Sequence, residues 1–242
     1  MASDYFATMI SNENFIEGQT KDIPMKEYGT KKAMESIVEY IYSGKMNLIN
    51  QGLETLLEIL NIAEMMLMKT NKLSSSIERY IKEIVPDVNF GSLVRGFMLV
   101  DRYGLENIRK SFVNELYFAA ATSLNDENRE TFKQLPLKMV KEIITYKYED
   151  LTLTEYKHPT TKERLNYFMI WYSTNKANGE DMQIIVDSFN LGDFSGPELL
   201  TVVKQTGLFS VEEIDKKCIE KFGSDAKCNK CGAKCKKCRS VE

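Results

Sequence analysis

Four cysteines near the carboxyl terminus have the residue type and spacing to bind a metal. They form two Cys-x-x-Cys pairs, Cys228 with Cys231 and Cys235 with Cys238, and three residues separate the pairs. Four thiolates can hold one zinc ion tetrahedrally, and neighbouring lysines favour the thiolate form. Zinc ribbons and fingers, however, place a dozen or more residues between their pairs. The pattern leaves two alternatives, a structural zinc site or free thiols in a disordered tail, and the short spacing favours the second.

The segment that carries these cysteines is strongly basic. Residues 216–242 contain nine Lys or Arg and three Asp or Glu, so the net charge of −3 leaves −9 for the preceding 215 residues. An acidic body argues against a nucleic-acid-binding core. No aromatic residue lies between Lys227 and Arg239 to stack on bases, so we expect at most weak, salt-sensitive phosphate contacts from the tail.

Catalytic patterns are missing from the sequence. His158 is the single histidine, so a Ser-His-Asp or Cys-His site would have to use it. It lies in residues 156–160, a predicted loop before a helix, which favours a surface role. No phosphate-binding glycine loop, His-Glu-x-x-His motif or dinucleotide fingerprint occurs. We therefore expect a protein that is not an enzyme.

Composition limits the class and the compartment. The chain has 242 residues, 43% of them hydrophobic, which is enough for one large or two small domains. No run approaches the ~18 apolar residues of a membrane span, and no signal peptide is visible. All five cysteines lie at or after Cys218, which argues against a disulfide-stapled secreted fold. The expected location is the cytoplasm, with the nucleus as an alternative.

Hydrophobic periodicity predicts helices through most of the first half of the chain. Residues 30–43 show an apolar face, Gly44 is typical of a left-handed C-cap, and residues 45–49 alternate like a short strand. The Met run 65–68 is expected to fill a junction between two helices. The apolar positions that define the helices are Ala33, Met34, Ile37, Val38, Ile41 and Tyr42; Leu53, Leu56, Leu57, Leu60 and Ala63; Leu73, Ile77, Tyr80, Ile81 and Ile84; Leu93, Val94, Phe97 and Met98; and Leu105, Ile108, Phe112 and Leu116.

The second half is also predicted to be helical. Pro136 is placed at a helix start, and residues 161–171 form a helix in which Trp171 belongs to the core. Ser195 to Glu198 has the form of a capping box before another helix.

The segment Tyr40-Ile41-Tyr42-Ser43-Gly44, which closes a helix before a short strand, closely resembles the BTB/POZ domain. Residues 4–9 resemble the end of an earlier BTB helix, and Lys21 to Met25 lies where that family places an edge strand. Residues 97–105 and 199–208 resemble the start and end of the BACK domain of kelch-like BTB adaptors. The resemblance implies a mainly α protein, with α+β character and a small sheet in the BTB part.

Three segments follow from this resemblance. They are a partial BTB/POZ domain at 1–85, an all-helical BACK domain of stacked hairpins at 86–210 and a basic Cys-rich tail at 211–242. The family's domain begins with strands and a helix that do not precede Met1 here. The predicted strands would then lack partners and the usual homodimer surface would be incomplete, which favours a truncated product. No kelch repeats follow residue 210.

BTB domains are protein-interaction modules, and many adaptors of this family carry a hydrophobic-x-Glu motif that contacts a cullin. Phe15-Ile16-Glu17 matches that motif, with Phe15 as an apolar anchor and Glu17 as a polar latch. The alternative is that Phe15 packs inside and Glu17 is solvated. The resemblance implies a non-catalytic substrate adaptor of a cullin-RING ubiquitin ligase, supported by the helix pair 86–121. Alternatives are a BTB scaffold for assembly or transcriptional regulation, or a competitor that binds the cullin without a target.

Overall fold

A computed structural model describes residues 29–66, 72–119, 124–147 and 158–222, together with five isolated positions before residue 20. Within these ranges every regular element is helical, so the prediction of a mainly α protein is confirmed. The chain divides after Leu116 into two compact units, Met1–Leu116 and Tyr117–Glu242.

The first unit is organised around one apolar helix. Helices α1 Lys31–Ser43, α2 Leu53–Met65, α3 Lys72–Ile84, α4 Phe90–Tyr103 and α5 Glu106–Ala119 follow one another, with a 3₁₀ turn at Val85–Asp87. Helix α2 packs against α1, α3 and α4. A helix that is apolar around most of its circumference must be covered from several sides, which explains its central place. Its buried residues are Leu53, Leu56, Leu57, Ile59, Leu60, Ile62 and Ala63.

Helix α1 begins and ends as its sequence predicts. The Thr30 side chain accepts a hydrogen bond from Ala33 N at 3.3 Å, and Glu58 of α2 accepts one from Thr30 N at 3.1 Å. At the other end Gly44 has φ 68° and donates to the Tyr40 carbonyl at 2.8 Å. Glycine adopts this left-handed conformation without steric cost. Both caps fix the length of α1 and tie its start to α2.

The apolar face predicted for α1 is only partly buried. Ala33 and Ile37, one turn apart, are fully buried, whereas the side chains of Val38 and Tyr42 are 44% and 87% exposed. The helix predicted from this apolar face is present, but its neighbours cover only part of the face. Periodicity tells on which side of the helix a residue lies, but the neighbouring elements decide how much of that side is buried.

The short strand predicted at residues 45–49 is not found. Lys45 N donates to Ser43 Oγ at 3.1 Å and Ile49 N donates to Asn47 Oδ1 at 3.1 Å, in irregular backbone. A strand exists only through hydrogen bonds to a partner strand. The other predicted strand, residues 21–25, lies outside the described residues, so the small sheet stays a prediction.

Two further predictions for the first unit are confirmed, and a third is tested only in part. Helix α3 ends at Ile84, just before Pro86. Gly104 ends α4 in the left-handed conformation, with φ 67°. In the Met run Met66 is fully buried and Met65 half-buried, while residues 67 and 68 lie outside the described residues.

The second unit is a series of shorter helices. They are α6 Asp126–Phe132, α7 Leu137–Ile144, α8 Thr161–Asn175, α9 Glu180–Asp187, α10 and α11 Val211–Phe222. Helix α10 follows a 3₁₀ turn at Leu191–Asp193 and runs through α-helical Gly196–Glu198, π-helical Leu199–Val203 and α-helical Lys204–Thr206. Helix α8 packs against α6 and α7, α7 packs against α9, and α11 packs against α10.

Side chains fix the helix starts of this unit. Pro136 precedes the first residue of α7, as predicted. Thr160 with Glu163 and Ser195 with Glu198 form capping boxes at α8 and α10, and the second of these was predicted.

Trp171 is part of the core, as predicted. The ring is buried, and its Nε1 donates to the Leu135 carbonyl at 2.8 Å. Four residues later, Asn175 Nδ2 donates to the Lys133 carbonyl at 3.0 Å. Helix α8 therefore holds the turn between α6 and α7 through two of its side chains.

Candidate protein-interaction site

The residues singled out from the sequence as site residues lie outside the described residues. This applies to Phe15 and Glu17, the predicted cullin contact. It also applies to the predicted zinc ligands Cys228, Cys231, Cys235 and Cys238. Both sites stay predictions. The part of the candidate surface that the structure describes is the helix pair predicted to support the contact, residues 86–121, which is seen as α4 and α5 through Ala119.

Helices α4 and α5 form a tightly packed pair. The predicted buried positions of α5, Leu105, Ile108, Phe112 and Leu116, are all buried, and so are Leu93, Val94 and Phe97 of α4. The rings of Phe97 and Phe112 stack with their centroids 6.5 Å apart and their planes 12° apart. Met98 departs from the prediction, because its side chain is 38% exposed.

Gly96 permits this close packing, and the sequence interpretation missed it. A Cβ atom at this position would lie 2.7 Å from Phe112 Cε1 and 3.0 Å from Leu53 Cδ2. The missing side chain lets α4 approach α2 and α5 at one point. A glycine inside a helix costs about 1 kcal/mol of stability relative to alanine. A glycine among the apolar residues of a predicted helix therefore indicates a position where a side chain would not fit.

A partly buried ion pair joins the two helices, and it too was missed. Arg109 of α5 donates from Nη1 to Asp101 Oδ1 of α4 at 2.8 Å. The Arg109 guanidinium also lies 5.2 Å from the centroid of the Phe97 ring, a cation–π arrangement. These contacts hold α5 against α4, so the outer face of α4 has a defined orientation within the first unit.

That outer face combines two cations with an apolar side chain. Arg95, Met98 and Arg102 are exposed and lie three and four residues apart, which places them on one side of α4. Arg95 Nε pairs with Glu54 Oε1 of α2 at 2.7 Å, and the Arg102 guanidinium lies 5.9 Å from the Tyr103 ring centroid. We name these three residues the α4 surface. Its chemistry suits a partner that offers an apolar pocket beside carboxylates.

A second exposed apolar surface lies at the end of α1. A shallow groove of about 640 Å³ is lined by the segment after α1 and by Tyr80 of α3. Ile49 in this lining and Tyr42 nearby in sequence are largely exposed. We name this feature the α1 groove. Its lining residues are Glu39, Lys45, Met46, Asn47, Leu48, Ile49 and Tyr80.

Side chains that could do chemistry are scattered across the described residues. No three or more His, Cys, Asp or Glu side chains among them gather closely enough to hold a metal ion. His158 lies exposed in the loop before α8, as predicted, with its ring 5.4 Å from that of Phe118. Cys218 is half-buried in α11. In the same described ranges, no helix has the length and apolar character of a membrane span.

Comparison with known proteins identifies the amino-terminal part of the chain. The family model of the BTB/POZ domain matches residues 1–84 of the 242, ending at the last residue of α3. No curated protein matches the chain. BTB/POZ domains mediate protein–protein interaction and dimerisation. Residues 1–84 of the first unit are therefore similar to a BTB/POZ domain. The compact structure of that unit continues past the match through α4 to Leu116 of α5.

Proposed function

We propose that this chain is a non-catalytic interaction scaffold that recruits substrates to a cullin-RING ubiquitin ligase. The observation that carries the proposal is the match of residues 1–84 to the BTB/POZ family. The chain would transfer no ubiquitin itself. By binding a target and the ligase together, it would raise the local concentration of that target at the ligase.

In this proposal the cullin contact has two parts. Phe15 fills an apolar pocket of the cullin and Glu17 accepts hydrogen bonds beside it, an arrangement typical of a small binding hot spot. The α4 surface extends the contact. Met98 adds apolar area, and Arg102 adds positive charge that favours an acidic partner, whereas the charge of Arg95 is matched by Glu54. The packing of α4 on α2 and α5 at Gly96 supports this part, because a rigid helix loses little conformational entropy when it binds.

Residues 86–210, which include α4, α5 and the second unit through α10, are assigned to the BACK domain in the same proposal. Within the second unit α8 packs against α6 and α7, and α9 packs against α7, so its helices contact others that are close to them in sequence. The proposed segments are a BTB/POZ domain at 1–85, a BACK domain at 86–210 and a basic tail at 211–242.

A binding assay with a purified cullin amino-terminal domain tests the proposal. The full chain is compared with Phe15→Ala and Glu17→Ala, and circular dichroism verifies that each protein is folded. Tyr42→Ala and Glu39→Ala are matched controls, since they remove an exposed aromatic ring and an exposed carboxylate from α1. We expect each test variant to lose more than about 1 kcal/mol of binding free energy, roughly fivefold in Kd, and the controls to bind like wild type.

Two results would count against the proposal in different ways. A folded wild-type chain that does not bind the cullin would remove the ubiquitin role and leave a BTB scaffold for assembly or regulation. Wild-type binding that neither Phe15→Ala nor Glu17→Ala weakens would keep the adaptor role but place the contact elsewhere.

A further inference from the structure

We draw no further inference here: the strongest candidate, the α1 groove between the segment after α1 and Tyr80 of α3, is an unpartnered apolar surface, and nothing in the structure shows what covers it.

Discussion

Arg109 and Asp101 form an ion pair across the turn between α4 and α5, with Nη1 and Oδ1 2.8 Å apart. The Arg109 side chain is only 9% exposed, whereas the Asp101 side chain keeps about a third of its surface in water. The arginine therefore depends on its partner more than the aspartate does. A buried guanidinium that loses its carboxylate has little water to replace it.

Asp101→Asn is expected to destabilise the chain. The variant keeps the shape of the side chain but removes the charge of the carboxylate 2.8 Å from Arg109 Nη1, and it keeps Glu106 at 4.0 Å. We expect a loss of roughly 1–3 kcal/mol in the free energy of unfolding. Urea denaturation followed by circular dichroism measures it. Glu83→Gln is the matched control, because it neutralises one partner of an exposed pair with Arg79 at 4.0 Å and should cost under ~0.5 kcal/mol. Equal effects of the two substitutions would show that burial of Arg109 does not govern the stability of this pair.

Gly96→Ala is expected to be destabilising although alanine favours helices. The new methyl group would meet Phe112 and Leu53 at 2.7 Å and 3.0 Å, so α4 or its neighbours must shift. Overpacking of this kind costs about 1–3 kcal/mol, which exceeds the ~1 kcal/mol gained in helix propensity over most of that range.

Gly91→Ala in the same helix is the matched control for Gly96→Ala. A Cβ atom there would lie 3.4 Å from the guanidinium end of Arg95, a flexible side chain that can move. We expect a neutral effect or a gain of up to ~1 kcal/mol in the free energy of unfolding. If both alanine variants were equally stable, the close approach of the three helices at Gly96 would be contradicted.

The helix interiors were predictable from sequence, but several of their contacts were not. The apolar positions predicted for α2 and α5 are buried in the structure. Apolar residues spaced three and four apart lie on one side of a helix, and this spacing indicates the buried side. Val38, Tyr42 and Met98 belong to the predicted apolar faces but are exposed, because the sequence does not state which part of a face a neighbouring element covers. Gly96 and Arg109 were missed for a related reason. Their roles depend on residues 16 and 8 positions away, and only the folded chain brings those together.

Caps were predicted better than the strand, and the site stays untested. Gly44, Gly104 and the Ser195 capping box act within a few residues, so local sequence is enough. The strand at 45–49 depends on a distant partner, and no short-range pattern guarantees one. Phe15 and Glu17 were chosen by resemblance, and they lie outside the described residues.

Two aromatic positions on α8 should respond oppositely to phenylalanine. Trp171→Phe removes the donor to the Leu135 carbonyl and leaves that oxygen without its 2.8 Å partner, so we expect a loss of about 1–3 kcal/mol. The buried Tyr167 hydroxyl has no hydrogen-bond partner among the described residues, and burial raises the pKa of this phenol well above its ordinary value. Tyr167→Phe should therefore be neutral or stabilising by up to ~1 kcal/mol.

Thermal and urea unfolding of both α8 variants make this comparison. The ring of Tyr167 stacks on Phe132 with centroids 4.1 Å apart, and phenylalanine preserves that contact, so the comparison isolates the hydroxyl. A clear loss of stability in Tyr167→Phe would mean that the hydroxyl is hydrogen-bonded in solution, for example to water.

The Glu198 carboxylate should make the second unit sensitive to acid. Lys162 Nζ donates to it at 2.7 Å and the Ser195 backbone N–H at 2.9 Å, and these contacts lower the pKa of Glu198 from 4.5 to about 2. A carboxyl group whose pKa is lowered by folding stabilises the native state above its unfolded pKa. That contribution is lost as pH falls from about 4.5 towards 2.

Glu198→Gln should reduce the loss of folding stability as pH falls from about 4.5 towards 2. Urea midpoints measured between pH 7 and pH 2.5 should fall less steeply below pH 4.5 in the variant than in wild type. Lys162→Met should give an intermediate slope, since it removes the largest cause of the lowered pKa but keeps the Ser195 hydrogen bonds. If the urea midpoints of wild type and Glu198→Gln fell equally steeply with pH, the lowered pKa of Glu198 would be contradicted.

Charge reversal on the α4 surface tests the second part of the proposed cullin contact. Arg102→Glu should weaken binding by at least about fivefold, because it places a carboxylate where an acidic partner is expected. Met98→Ala should weaken it by a smaller factor through lost apolar area. Arg79→Glu is the control, since this exposed arginine is on α3 and is not part of the α4 surface, so the variant should keep wild-type affinity. Titration calorimetry at two salt concentrations provides a second readout, because the loss in Arg102→Glu should shrink as salt screens the charges. If Phe15→Ala weakens binding while Arg102→Glu does not, the contact at Phe15 stands and α4 lies outside the interface.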